Sequence, residues 1–137
     1  MQTEIVPSTP SAEDVVRALY AAVASHDVAA ITRWLHPEVV FHVPGRSPNT
    51  GDYRGVSAVL GFLADAGRRT GGTLRLELRD VAVGRDHVVA IARYLAQKPG
   101  KTLENNLCHL VRVEDGKVRE SRFYTGDQYA VDAFWND

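Results

Sequence analysis

The sequence predicts an α+β fold, with helices in its first half and a strongly curved antiparallel sheet in its second. Three observations carry that reading. Apolar residues recur at helical spacing as far as Gly71-Gly72, and strict alternation replaces that spacing from Thr73 onward. The alternation then slips by one residue near Asp80, the mark of a bulge that bends and twists a sheet.

The first helix is signalled at Ser11, where Ser11 and Asp14 form a capping-box pattern ahead of Val15, Val16, Leu19, Tyr20 and Val23. His26-Asp27 interrupts the stripe. Asp27 can cap a second, shorter helix whose buried face is Val28, Ile31, Trp34 and Leu35. His36-Pro37 ends it, because the residue before proline is pushed out of the helical region. Val39 to Val43 reads as a short strand, and the Pro/Gly-rich stretch from Pro44 to Gly55 as a loop. A third helix carries Val56, Val59, Leu60 and Leu63 on one side, and Gly71-Gly72 stops it.

In the next strand Leu74, Leu76 and Leu78 face one way, and the apolar phase then shifts to Val81 and Val83. Three more strands follow, over His87–Gln97, Thr102–Val113 and Lys117–Thr125. Lys98-Pro99-Gly100-Lys101 and Glu114-Asp115-Gly116-Lys117 have the chemistry of tight hairpins. Gln128 to Trp135 reads as a final short helix. Helices followed by a run of strands indicate α+β rather than α/β organisation.

At 137 residues the chain is long enough for one core but not two. Residues 1–10, polar and carrying two prolines, read as a flexible leader, and 11–137 as a single domain. A net charge of -1 provides no basic stripe for phosphates, which argues against nucleic acid as a partner. No run of eighteen apolar residues offers a membrane span. Cys108 is the single cysteine, so no intrachain disulfide forms, which fits a cytoplasmic location.

The strand Thr102–Val113 is the most informative for function. Leu103, Asn105, Leu107, His109, Val111 and Val113 share a face, so two polar groups sit among four apolar ones. Buried there, Asn105 and His109 need partners: each other, backbone, water or a ligand. Trp34, Phe41, Tyr53, Phe62, Tyr94 and Tyr124 supply aromatic bulk, and Tyr53 belongs to a loop expected to border a pocket mouth. Cys108 and His109 point to opposite faces and make poor partners for a thiolate pair. The five histidines show no two-ligand spacing, and no dinucleotide fingerprint or phosphate-cradling loop is present. Neither metal nor cofactor is expected.

The order of elements, the segment His42-Val43-Pro44-Gly45 through Gly51-Asp52-Tyr53-Arg54-Gly55, and the ending Gly126-Asp127-Gln128-Tyr129-Ala130-Val131-Asp132-Ala133-Phe134-Trp135 resemble SnoaL-like proteins. These belong to the nuclear transport factor 2-like superfamily and include polyketide cyclases and relatives of ketosteroid isomerase. The resemblance covers roughly residues 11 to 135. It implies a cone-shaped barrel, a bent sheet around a long helix with a pocket at the wide end, and a homodimer.

Set beside the isomerases, His42 falls about where their catalytic carboxylate stands and would act as base or orienter. Leu19 takes the place of their oxyanion-binding tyrosine, with Tyr20 one residue out of register and rotated by about 100° on the helix. His109 falls near the position of their protonated acid. Asp127 matches an acid placed near the last strand of SnoaL-like cyclases, though an aspartate before a helix is also a standard cap. The epoxide-hydrolase relatives use an Arg-x-Asp pair, which Arg93-Tyr94-Leu95 lacks.

The resemblance implies a cofactor-independent enzyme moving protons on a small apolar or aromatic molecule: an isomerase, cyclase, hydratase or hydrolase. His42, His109 and Asp127 would be its catalytic groups, with Asn105, Tyr53, Trp34, Phe62, Tyr94 and Tyr124 binding substrate. The alternatives are a pocket that binds without turnover, or a dimeric scaffold that uses the outer sheet face.

Overall fold

A computed structural model describes residues 9–137 of the chain. Most of the leader expected over residues 1–10 therefore lies outside the described residues. Four helices and six strands follow in the order α1 (Ala12–Ala24), α2 (Val28–Trp34), β1 (Leu35–Val43), β2 (Gly51–Arg54), α3 (Val56–Arg69), β3 (Arg75–Val83), β4 (Val88–Lys98), β5 (Lys101–Glu114), β6 (Lys117–Thr125) and α4 (Gln128–Trp135).

The caps expected from the sequence are present. Ser11 Oγ accepts from the Asp14 N–H at 3.1 Å while the Asp14 carboxylate accepts from the Ser11 N–H at 3.4 Å. Asp27 accepts from the Ala30 N–H at 3.1 Å. Ser11→Ala is expected to cost about 1 kcal/mol in chemical unfolding, since it removes the partner of one helix N–H.

The strands form one sheet in the order β2-β1-β6-β5-β4-β3. Every pair is antiparallel except β1 with β6, which run parallel; the four strands of the second half form the antiparallel sheet expected there. The bulge lies where the alternation slips: the β3–β4 register shifts between Leu78 and Asp80. In the β5–β6 turn Asp115 and Gly116 both have positive φ, 54° and 71°. That pairing is the signature of a type I′ hairpin whose twist matches its strands.

Two boundaries differ from the sequence reading. α2 ends at Trp34, and β1 begins at Leu35 rather than Val39. Proline is tolerated within β1 because its pairing with β6 is interrupted between Leu35 and Val40, so Pro37 owes no ladder hydrogen bond. The second difference is β2, read as loop. Its four residues pair with Val40–Val43 through the backbone, which a stretch rich in glycine and charge does not advertise.

The main core lies between α1 and the inner sheet face. It includes Val15, Val16, Val39, Phe41, Val59, Ala90, Val111 and Val118, all at most 5% exposed. A second cluster joins α4 (Val131, Phe134, Trp135) to Ala66, Ala96 and Leu103. Among the described residues no helix is long and apolar enough to cross a membrane.

Candidate functional site

Between α1, α3, α4 and the inner sheet face lies a cavity of about 90 Å³. One water needs about 10–15 Å³ on such a measure, so there is room for a group of several heavy atoms. Its wall is mostly apolar, with Val16, Leu19, Val23, Phe41, Phe62, Leu107, Val111, Phe123 and Trp135 among the lining residues. The polar lining consists of Tyr20, Ser47, Asn49, Tyr94, His109, Ser121, Thr125 and Gln128. No Asp, Glu, Lys or Arg lines it among the described residues.

The centre of this wall is a pair formed by α1 and β5. Tyr20 Oη is hydrogen-bonded to His109 Nδ1. The His109 ring packs on Phe123 with centroids 4.1 Å apart, and His109 is only 6% exposed. Its Nε2 is buried and has no hydrogen-bond partner. Burial pushes the His109 pKa down to about 3, and burial likewise holds the Tyr20 phenol well above its usual range. Both groups are therefore neutral over the whole physiological range.

Between them they carry two protons, one on the phenol and one on the imidazole. One proton lies in the bond they share. The other is left at an outer end, either on Nε2 or on the phenol oxygen, while the opposite end offers a lone pair. An apolar cavity thus contains a coupled donor and acceptor with no net charge.

Of the residues nominated from the sequence, His109, Phe62 and Tyr94 line the cavity. The Tyr94 hydroxyl accepts from Trp135 Nε1 at 3.0 Å, and burial raises its pKa. The other six nominated residues stand elsewhere.

His42 lies on the outer sheet face. Its ring is hydrogen-bonded through Nδ1 to Asp52 Oδ1 and through Nε2 to Glu120 Oε2, each at 2.8 Å. The bond to His42 holds both carboxyls below their usual range. His42 therefore ties β2, β1 and β6 together from outside, and a role as base in the cavity does not fit its position. His42→Ala is expected to leave ligand affinity within twofold, measured by titration, and to cost about 1–2 kcal/mol through the loss of its two hydrogen bonds.

Asp127 is the cap of α4, accepting from the Ala130 N–H at 3.1 Å. Asn105 is its clasp: Oδ1 accepts from the Asp127 N–H at 3.1 Å, and Nδ2 donates to the Asp127 carbonyl at 3.4 Å. Neither lines the cavity. Tyr53 packs on Phe62 with the rings tilted and 4.6 Å between centroids, and donates to the Asn49 carbonyl at 2.7 Å, so it braces the loop rather than the ligand space. Trp34 packs partly buried against the main core, and Tyr124 stands half exposed on the outer face.

Tyr20 is the residue that sequence reasoning set aside. An offset of 100° matters on a helix with one buried edge. α1 lies inside the curve of the sheet, and Leu19 and Tyr20 both line the cavity. The available signal was the hydroxyl itself, because a buried tyrosine needs a partner for it.

Residues 16–121 match the SnoaL-like domain family. The chain belongs to that family. An uncharacterised protein of Mycobacterium tuberculosis, Rv0034, is 37% identical over 124 residues, covering 89% of this chain and 94% of the relative. The structure of Bal32a from a soil-derived mobile gene cassette superposes with a TM-score of 0.88 at 34% identity, covering 90% of this chain and 95% of that one. TerC, co-crystallised with polyporic acid, shares the fold at a TM-score of 0.79 and 24% identity, over 89% of this chain and 95% of its own. Within a family whose fold serves many chemistries, function has to be read from the cavity.

Proposed function

We propose that this SnoaL-like protein binds a small, uncharged, largely apolar or aromatic molecule and transfers a proton on it without a cofactor. The observation behind this reading is the buried His109 Nε2 without a partner, coupled through its ring to the Tyr20 hydroxyl. A buried polar atom with no partner calls for one, and a ligand oxygen in this cavity would supply it. An apolar wall without ionised groups favours a neutral ligand, since a charge there would lose its hydration and gain no counterion.

The pair suits isomerisation. A ligand C–H or O–H proton is accepted at Nε2, the Nδ1 proton passes to the phenol oxygen, and the phenol proton returns to a second ligand atom. Every atom is conserved, and neither residue becomes charged in the exchange. Acid–base assistance of this kind is worth about 10²–10⁴ in rate. The test is deuterium uptake by a small aryl ketone in D₂O, followed by NMR, with ligand binding followed by tryptophan fluorescence. The wild type is expected to bind and exchange, and His109→Phe and Tyr20→Phe each to lose at least about 10² in exchange rate.

A second reading is favoured by the absence of a carboxylate from the lining. Binding without turnover would show saturable fluorescence changes and no deuterium uptake above the uncatalysed rate.

The outer sheet face supports a homodimer. Ile91, Cys108 and Tyr124 lie directly opposite one another on β4, β5 and β6, and Ile91 and Tyr124 are 37% and 50% exposed. Around them stand charges of both signs, Arg93 paired with Glu104 and Arg122 near Glu120. A patch carrying both signs is suited to a two-fold copy of itself. Tyr124→Arg is expected to convert a dimer to a monomer in light scattering. A wild type that is monomeric at high concentration would sink this part of the reading.

A further inference from the structure

Among the described residues the buried polar ones are Asn49, Thr70, His109 and Ser121, none more than 6% exposed. Thr70 is satisfied by its own helix, donating to the Ala66 and Gly67 carbonyls. The other three all line the cavity. His109 has Tyr20 on one side and nothing on the other. Ser121 and Asn49 put a hydroxyl and an amide into this otherwise apolar lining, each from a residue no more than 6% exposed.

Their positions are fixed by other means. Ser121 faces Val111 across the β5–β6 ladder and stands beside Phe41 of β1. It is therefore one diagonal step from His109, which faces Phe123. Diagonal positions on one sheet face are about 7–8 Å apart, too far for a direct hydrogen bond and a suitable span for a small ring. Asn49 is held through its backbone: its N–H donates to Ser47 Oγ at 3.2 Å, and its carbonyl accepts from Tyr53. That bracing leaves the amide free to serve something in the cavity.

We infer that Ser121, aided by Asn49, is a second polar subsite that binds another oxygen of the same ligand. The substrate class is then an uncharged, mainly apolar molecule oxygenated at two separated positions, such as a para-oxygenated ring. This deepens, and rests on, the assignment of the Tyr20–His109 cavity as the ligand site. A ligand that offers only carbon to polar groups in this wall leaves them without a partner, so the subsite also selects.

The experiment compares hydroquinone, kept under nitrogen, with p-cresol, in which a methyl group replaces the second hydroxyl. Both are titrated against the full chain by tryptophan fluorescence and calorimetry. If nothing met the second oxygen, p-cresol would bind more tightly, because its methyl group gains from leaving water. The expected result is the reverse: hydroquinone tighter by about tenfold, with that preference lost in Ser121→Ala and reduced in Asn49→Leu. The ratio of the two affinities is used because a general loosening of the protein moves both together. If Ser121→Ala does not fold, the wild-type ratio and Asn49→Leu carry the test. p-Cresol as tight as hydroquinone, or a ratio unchanged in the variants, overturns the subsite and leaves the cavity reading standing. Binding of neither probe overturns both.

Discussion

His109→Phe is expected to make the protein markedly more resistant to mild acid. In the folded state burial holds the His109 pKa at about 3, against about 6.5 for an exposed histidine in the unfolded chain. Above pH 6.5 the imidazole is neutral in both states and costs nothing. As pH falls below 6.5 the unfolded chain takes up a proton that the folded protein refuses, so stability drops steadily towards pH 3. Between pH 6.5 and 4 this amounts to about 3 kcal/mol, at about 1.4 kcal/mol per pH unit. Phenylalanine has no proton to gain, and the difference between wild type and variant isolates the histidine.

The carboxylates act lower down the scale. Asp52, Glu120 and Asp65 have folded pKa values below the usual range, the first two chiefly through the bond to His42 and the third through Arg69. Their contributions are present above about pH 4 and fade as pH falls below it. Chemical denaturation at several pH values therefore separates the two windows. A wild type and His109→Phe with parallel stability curves between pH 4 and 6.5 would show that His109 takes a proton in the folded protein, and the neutral relay would fail with it.

The same neutrality governs ligand binding. Affinity for an uncharged ligand is expected to stay level from pH 8 to about 5. Of the two histidines weighed as a base, only His109 stands in the cavity wall.

Backbone periodicity explains what the sequence could reveal. The bulge near Asp80, the Asp115-Gly116 turn and the Ser11, Asp27 and Asp127 caps were legible because each depends on a few neighbouring residues. Alternation in β5 placed His109 inward correctly, and it also placed Asn105 on the same face. It could not say that the start of α4 arrives beside Asn105 and captures its amide. β2 and the parallel β1–β6 pair were not legible, since each depends on which distant strand arrives alongside. His42 was misplaced for the same reason. Its partners Asp52 and Glu120 come from two other strands, and only the assembled sheet shows that all three share the outer face.

Trp135→Ala is expected to cost about 3–5 kcal/mol in chemical unfolding, the largest single effect foreseen. Trp135 is 2% exposed, meets Phe134 edge-on at 5.1 Å between centroids, and donates to the Tyr94 hydroxyl. It is the last residue of an eight-residue helix, too short to persist in water by its own hydrogen bonds. Docking of Val131, Phe134 and Trp135 against Ala96 and Leu103 is what holds α4 over the cavity. Removing the indole deletes that anchor and leaves a void continuous with the ligand space, as well as a Tyr94 oxygen with no donor. Trp135→Phe keeps most of the packing and loses the hydrogen bond, so it is expected to cost about 1–2 kcal/mol less than the alanine variant. The void also predicts a change in selectivity. Trp135→Ala should gain affinity for ligands one ring larger while losing stability, because the added ring replaces the missing contacts. An alanine variant that is destabilised yet shows no preference for the bulkier ligand would mean that Trp135 supports the fold without bounding the ligand space.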